Sequence, residues 1–318
     1  MSERNRRRDF LKSSLLATAG AFVPATSGKA AAGQELSSDQ SVVKNQFSAD
    51  PLAPRRLTPN ITTTRVGLGT GMCGHDRSSE LTRLGHDEAI AQVRRCYDAG
   101  IRLFDMADLY GTHFFVGEAL RDKPRDSYTF ISKIWPHPGL EPNEREAEQC
   151  VKRFLKELGT DYVDLVQIHC QSDPQWPDQV AGLMDGLEKL KEQGFIRAHG
   201  VSTHSLIAAQ TAAVHPWVDA IHFRMNNQDL RMDGTLEENR AAAMLAQKNG
   251  KGVIVMKVLG EGQITDPEEQ KSSIRAVACH PATDVMVVAF KTREHIDSFL
   301  QKLTDVLAEE QKEQEQSA

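Results

Sequence analysis

The chain of 318 residues is 40% hydrophobic and 26% charged, which excludes a disordered or fibrous chain and leaves room for one large α/β domain or two ordinary ones. Its net charge is −6. The first 32 residues carry six Lys/Arg and two Asp/Glu, so the remainder holds 32 basic against 42 acidic residues, or −10. That balance excludes a broad cationic face for nonspecific nucleic-acid binding, while permitting a small cationic pocket for phosphates.

The N-terminus reads as an address and not as part of a fold. RNRRRDFLK precedes an apolar run, SSLLATAGAFV, and a small-residue stretch, SGKAAAG, the order of a basic region, an apolar region and an Ala-x-Ala-like cleavage site. Arg7 and Arg8, followed by Asp9, Phe10, Leu11 and Lys12, resemble the twin-arginine export signal. The expectation is recognition by the twin-arginine translocation machinery, cleavage after Ala32 and an exported, extracytoplasmic protein, tethered to the membrane if the signal stays uncleaved. The apolar run is short of the roughly 20 residues of a membrane span. Residues 33–60, rich in Ser, Gln, Asp and Pro, read as a flexible linker. The five cysteines, Cys73, Cys96, Cys150, Cys170 and Cys279, include no Cys-x-x-Cys pair and read as free thiols.

From there strand and helix patterns alternate. The strands expected are 65–69, 102–105, 128–133, 163–169, 198–202, 218–225, 252–257 and 285–289. The helices are 86–99, 114–120, 143–158, 180–193, 205–214, 235–248 and 267–279, and a last helix starts at 293. Several stop at Gly, as in DAG, ELG, EQG and KNG. Eight short apolar strands with helical connections predict a (β/α)8 TIM barrel over 61–307, with a charged tail at 308–318. An open doubly wound sheet is the alternative. It is weakened because GLGTGMCG lies on the first strand and its loop, with no helix directly after it, so the dinucleotide fingerprint is not met.

The segment FDMADLYG, 104–111, carries the chemistry. It puts Asp105 and Tyr110 at the end of a buried strand, and the next two strands end at Lys133 and His169. In a barrel these ends converge on one mouth. A phenol has an ordinary pKa of about 10; an adjacent ammonium lowers it, a carboxylate holds the lysine, and a histidine orients a carbonyl oxygen. The set suits protonation of an oxygen while hydride reaches the attached carbon. Taken singly, Asp105 could cap a turn, Tyr110 pack, Lys133 solvate a strand end and His169 be structural. Their joint placement favours the chemical reading. No His, Asp or Glu spacing implies a metal.

VGLGTG, FDMADLYG, VGEAL, ISKIW, LGTDYVDLVQIH, GFIRAHGVS and VIVMKVLGEG, in this order from about Thr62 to Leu300, resemble the aldo-keto reductase superfamily. The resemblance implies reversible hydride transfer between a nicotinamide cofactor and a small-molecule carbonyl or alcohol, with Asp105, Tyr110, Lys133 and His169 as the catalytic tetrad. It implies cofactor contacts at Ser202 and Thr203, where the family usually has Ser-Asn, and at His222, where it often has Gln; a core histidine is the other reading of His222. It places Lys257, Leu259 and Gly260 over the pyrophosphate. Lys291, Thr292 and Arg293, ahead of a helix, would grip a phosphate, which favours NADP(H) over NAD(H), although Asp297 nearby would repel a 2′-phosphate. Trp135, His137 and Trp176 are expected to wall the substrate pocket, left open by a short C-terminus. A cofactor-sensing subunit with little turnover shares these motifs and remains the alternative to an enzyme. A metal-dependent barrel hydrolase is a third reading. Substrate identity and oligomeric state are not legible.

Overall fold

The computed structural model describes residues 45, 47–138 and 146–317. The expected export signal and residues 33–44 of the expected linker lie outside the described residues. Eight parallel strands, β3 (Val66–Gly69), β4 (Leu103–Asp105), β5 (Thr129–Ile134), β6 (Val163–Gln171), β7 (Ile196–Thr203), β8 (Ala220–Arg224), β9 (Gly252–Met256) and β10 (Val285–Val288), follow one another around a closed barrel. β10 pairs back onto β3, with Met286 opposite Val66. The (β/α)8 expectation is met.

The helices outside the barrel are α1 (His86–Asp98), α2 (His113–Leu120), α3 (Ala147–Leu158), α4 (Trp176–Gln179), α5 (Ala181–Glu192), α6 (Leu206–Val214), α7 (Leu236–Lys248), α8 (Pro267–Ala278) and α9 (Arg293–Ser317). Local chemistry sets their ends. Thr235 and Glu238 close a capping box on α7, Asp266 caps α8 ahead of Pro267, and Gly159 ends α3 in the left-handed region at φ 66°.

Two corrections concern the edges of the domain. Part of the segment read as linker is structured: β1 (Pro54–Thr58) pairs antiparallel with β2 (Ile61–Thr64), at the start of the expected barrel domain. Leu57 and Ile61 of this hairpin join Leu103, Ile131, Leu165, Ala198, Ala220 and Ile254 in the apolar core inside the barrel, so the hairpin plugs its lower end. The residues read as a charged tail continue α9 through Ser317. Glu309 there pairs with Lys271 at 2.6 Å and with Arg275.

Strand alternation positions the site. Successive side chains point to opposite faces, so Leu103 and Asp105, Ile131 and Lys133, Leu165 and His169, and Ala220 and His222 share the inward face of their strands. The lower member of each pair belongs to the apolar plug. The upper member is a buried polar group at the end of the barrel where sites of this fold form.

Candidate active site

Asp105 and Lys133 form a buried ion pair, and the Lys133 ammonium also donates to the Met106 carbonyl at 3.0 Å. Burial opposes the charge on Asp105, but Lys133 and His222 outweigh it and hold the carboxyl down at about 2. His222 is fully buried, with Nε2 3.3 Å from Asp105 Oδ1. Tyr110 follows on a short 3-10 turn, Asp108–Tyr110. Its hydroxyl lies 3.2 Å from His169 Nε2.

The tyrosine does not behave as its lysine neighbour led us to expect. Lys133 sits 5.5 Å from the centroid of the Tyr110 ring, and its charge is spent on Asp105. Burial, and then the Asp105 carboxylate, push the phenol well above 10. Burial, and then Lys133, push the His169 imidazole well below 6.5. The pair is therefore a protonated phenol against a neutral imidazole, the state suited to giving a proton in the reducing direction.

Two glycines of GLGTGMCG, Gly71 and Gly74, make room for Tyr110. A Cβ on Gly71 would overlap the Tyr110 ring, and one on Gly74 would come 2.6 Å from Tyr110 Cδ1. The loop after β3 thus lies flat against that ring. This role was invisible without the fold, because Gly74 and Tyr110 are 36 positions apart.

A cleft of about 480 Å³ opens from Asp105 and Tyr110, runs past Gly69, Gly71 and Met72 and between the loops after β9 and β10, and ends at His295, Ser298 and Phe299. Its volume is in the range of small-molecule sites, about 300–1,000 Å³. It has glycine backbone at one end and along one wall, and the N-terminal turns of α9 at the other. Lys257 and Leu259 line it, as does Lys291. Both lysines have carboxylate partners, Glu261 at 2.6 Å from Lys257 and Glu80 at 2.9 Å from Lys291. Neither glutamate stood out in the sequence, since Glu80 pairs across 211 positions.

The other expected cofactor contacts are not among the residues that line this cleft. Gly260 packs beside Leu230 and Ile264. Thr292 accepts from the His295 backbone at 3.3 Å, and Arg293 pairs with Asp297 one helical turn on, at 2.8 Å. Neither is among the residues lining the cleft. Ser202 accepts from the Cys170 amide at 2.9 Å, and Thr203 donates to the His222 carbonyl at 3.2 Å. Both are buried at the end of β7 beside the tetrad.

Trp135 and His137 lie beside His169 on the loop after β5. The Trp135 ring meets His169 edge-on at 5.5 Å and His137 at 4.7 Å. Trp176 is a correction: it starts α4, is fully buried, and packs 5.6 Å from His215 in the outer core. Its ring answers to burial of a large apolar surface, not to the mouth.

A parallel barrel with this polar set at its mouth and a small-molecule cleft beside it defines a class, the barrel oxidoreductases. The model of the aldo/keto reductase family matches residues 65–309, and the chain belongs to that family. It is an NAD(P)-dependent oxidoreductase. It is 29% identical over 208 residues to the methylglyoxal reductase DkgB of Salmonella typhi, covering 65% of this chain and 73% of that protein. It is 28% identical over 228 residues to the NADH-specific methylglyoxal reductase of Escherichia coli K12, covering 65% and 67%. Among solved structures, an aldo-keto reductase of Bacillus halodurans in its holo form superposes with a TM-score of 0.63 at 21% identity, covering 79% of this chain and 91% of that one. One from Klebsiella pneumoniae in complex with NADPH superposes at 0.57 and 19%, covering 79% and 89%.

Proposed function

We propose that the protein reduces a small aldehyde or ketone to the alcohol, reversibly, with Tyr110 as the acid. The observation that carries this reading is the Tyr110–His169 contact over the buried Asp105–Lys133 pair. The nicotinamide cofactor, when bound, supplies or accepts the hydride. Tyr110 holds its proton at Oη and delivers it to the developing alkoxide. His169, neutral, donates a ring N–H that orients the carbonyl oxygen toward that hydroxyl. Lys133 neutralises Asp105 and fixes the floor beneath Tyr110. Trp135 and His137 wall the entrance and exclude water on one side.

The two similar methylglyoxal reductases support a small, reactive carbonyl as the substrate class. For the cofactor we propose NADP(H), held by Lys257 and Leu259 at its middle and by Lys291 near Ser298 at its far end. NAD(H) is the competing assignment, and Glu80 beside Lys291 favours it. Fluorescence titration of the purified protein with NADPH and NADH tests the choice. Lys291→Met weakens NADPH more than NADH under our assignment, and equal losses reject it. We further propose export by the twin-arginine route, supported by the residues around Arg7 and Arg8.

A further inference from the structure

Behind Tyr110 lies a chain of polar contacts that the proposed chemistry does not use. Asp108 is two residues before Tyr110 on the same 3-10 turn, and its carboxylate is fully buried. It receives a two-pronged bond from Arg153 of α3, Nη1 to Oδ1 and Nη2 to Oδ2, each at 2.8 Å. Arg77, from the loop after β3, adds a third donor at 3.3 Å. Arg153 then reaches Glu157 at 3.4 Å, Glu157 pairs with His113 Nδ1 at 3.0 Å, and His113 Nε2 lies 2.7 Å from Ser132 Oγ. Ser132 is the neighbour of Lys133 on β5. The chain therefore ties the turn bearing Tyr110 to the strand bearing Lys133, through α3 and the start of α2.

A buried ion pair is weak evidence for stability, because desolvation offsets most of the attraction. What a two-pronged guanidinium–carboxylate bond supplies is geometry: it fixes two planes and one direction, which a lysine cannot do. The turn needs such a fix. It is three residues long, has no side-chain cap, and ends at Gly111 in the left-handed region. The Gly71 and Gly74 backbone constrains the ring from its face but does not set how far the ring projects into the mouth.

We propose that Arg153 and Asp108 are positioning residues for Tyr110: their fork, anchored on the buried Asp108 carboxylate, sets the projection of the phenol relative to His169 and Lys133. This rests on the reading of Tyr110 as the acid. Misplacing a reacting group by about 1 Å costs on the order of 10²-fold. The test compares Arg153→Met, Arg153→Lys and Tyr110→Phe with the wild type in single-turnover oxidation of prebound NADPH. Two acceptors are used, a reactive aldehyde and a quinone, since a quinone accepts hydride with less help from an acid. Arg153→Met is expected to slow aldehyde reduction about 10- to 100-fold, to slow quinone reduction far less, and to leave NADPH affinity within about twofold. Arg153→Lys, which keeps the charge and loses the fork, shifts the aldehyde-to-quinone ratio in the same direction by a smaller factor. If Arg153→Met does not fold, Arg153→Lys decides by that ratio. A wild-type ratio in the deciding Arg153 variant, with a shifted ratio in Tyr110→Phe, overturns the positioning role and leaves the acid standing. A wild-type ratio in Tyr110→Phe overturns the acid itself.

Discussion

Tyr110 Oη lies 3.2 Å from His169 Nε2, and the two rings meet edge to face with centroids 5.5 Å apart. A substrate oxygen that approaches both groups meets one hydroxyl donor and one neutral ring.

The protonation states predict a flat pH profile. Tyr110 titrates well above 10 and His169 well below 6.5, so both stay in the form needed for reduction across the interval between. The single-turnover rate of aldehyde reduction is expected to be level from about pH 7 to about pH 9 and to fall only as the phenol ionises above that. Stopped-flow oxidation of NADPH across this range measures it. A midpoint near neutrality would assign the acid to another group.

Gly71→Ala tests the contact between the β3 loop and the phenol. The added methyl overlaps the Tyr110 ring, so either the loop or the ring must shift. The chemical step is expected to fall by about 10²-fold, with a small loss of stability because the loop is at the cleft. Pre-steady-state kinetics and a melting curve separate the two. An unchanged rate would mean that Tyr110 tolerates displacement.

The Asp105–Lys133 pair is expected to be strongly coupled. Removing either partner leaves a buried, uncompensated charge, at a cost of about 3–5 kcal/mol. Asp105→Asn with Lys133→Met should therefore cost less than the sum of the single changes, as read by urea denaturation. The pair also shapes acid stability. The Asp105 pKa is depressed in the fold, to about 2, so its contribution is full above the unfolded value of about 3.9 and is lost as pH falls through the folded one. Additive single and double changes would dissolve the pair.

Export is tested by replacing Arg7 and Arg8 with Lys. The charge is kept and the arginine pair is lost, so precursor should accumulate in the cytoplasm on cell fractionation. Export at the normal rate rejects the twin-arginine route.

Much of this site was readable before any fold was known. Asp105, Lys133 and His169 each end an apolar strand run on its inward phase, and a period of two makes that visible. His222 follows the same alternation, but its neighbour Asp105 is 117 positions away, so its partner was not. The hairpin of β1 and β2 escaped because PRRLT and ITTT are short and polar on their outer face, a pattern indistinguishable from a linker. Trp176 was misplaced because a tryptophan after a strand reads alike whether it faces the mouth or the outer core. Arg293 and Asp297 are four residues apart, a spacing that puts them on one helix face and lets them pair. Asp108 was inside the most informative motif, yet its fork with Arg153 exists only once α3 packs beside the turn.

The most direct test of the central claim is single-turnover oxidation of bound NADPH by a reactive aldehyde in Tyr110→Phe. The change deletes one hydroxyl and keeps the ring against Gly71 and Gly74, so fold and NADPH affinity should survive. Proton donation by a placed side chain contributes about 10²–10⁴-fold. The account predicts a fall in that range for the aldehyde and a much smaller one for a quinone. Aldehyde reduction at the wild-type rate would contradict it and would leave a nucleotide-binding barrel whose tyrosine has no part in the chemistry.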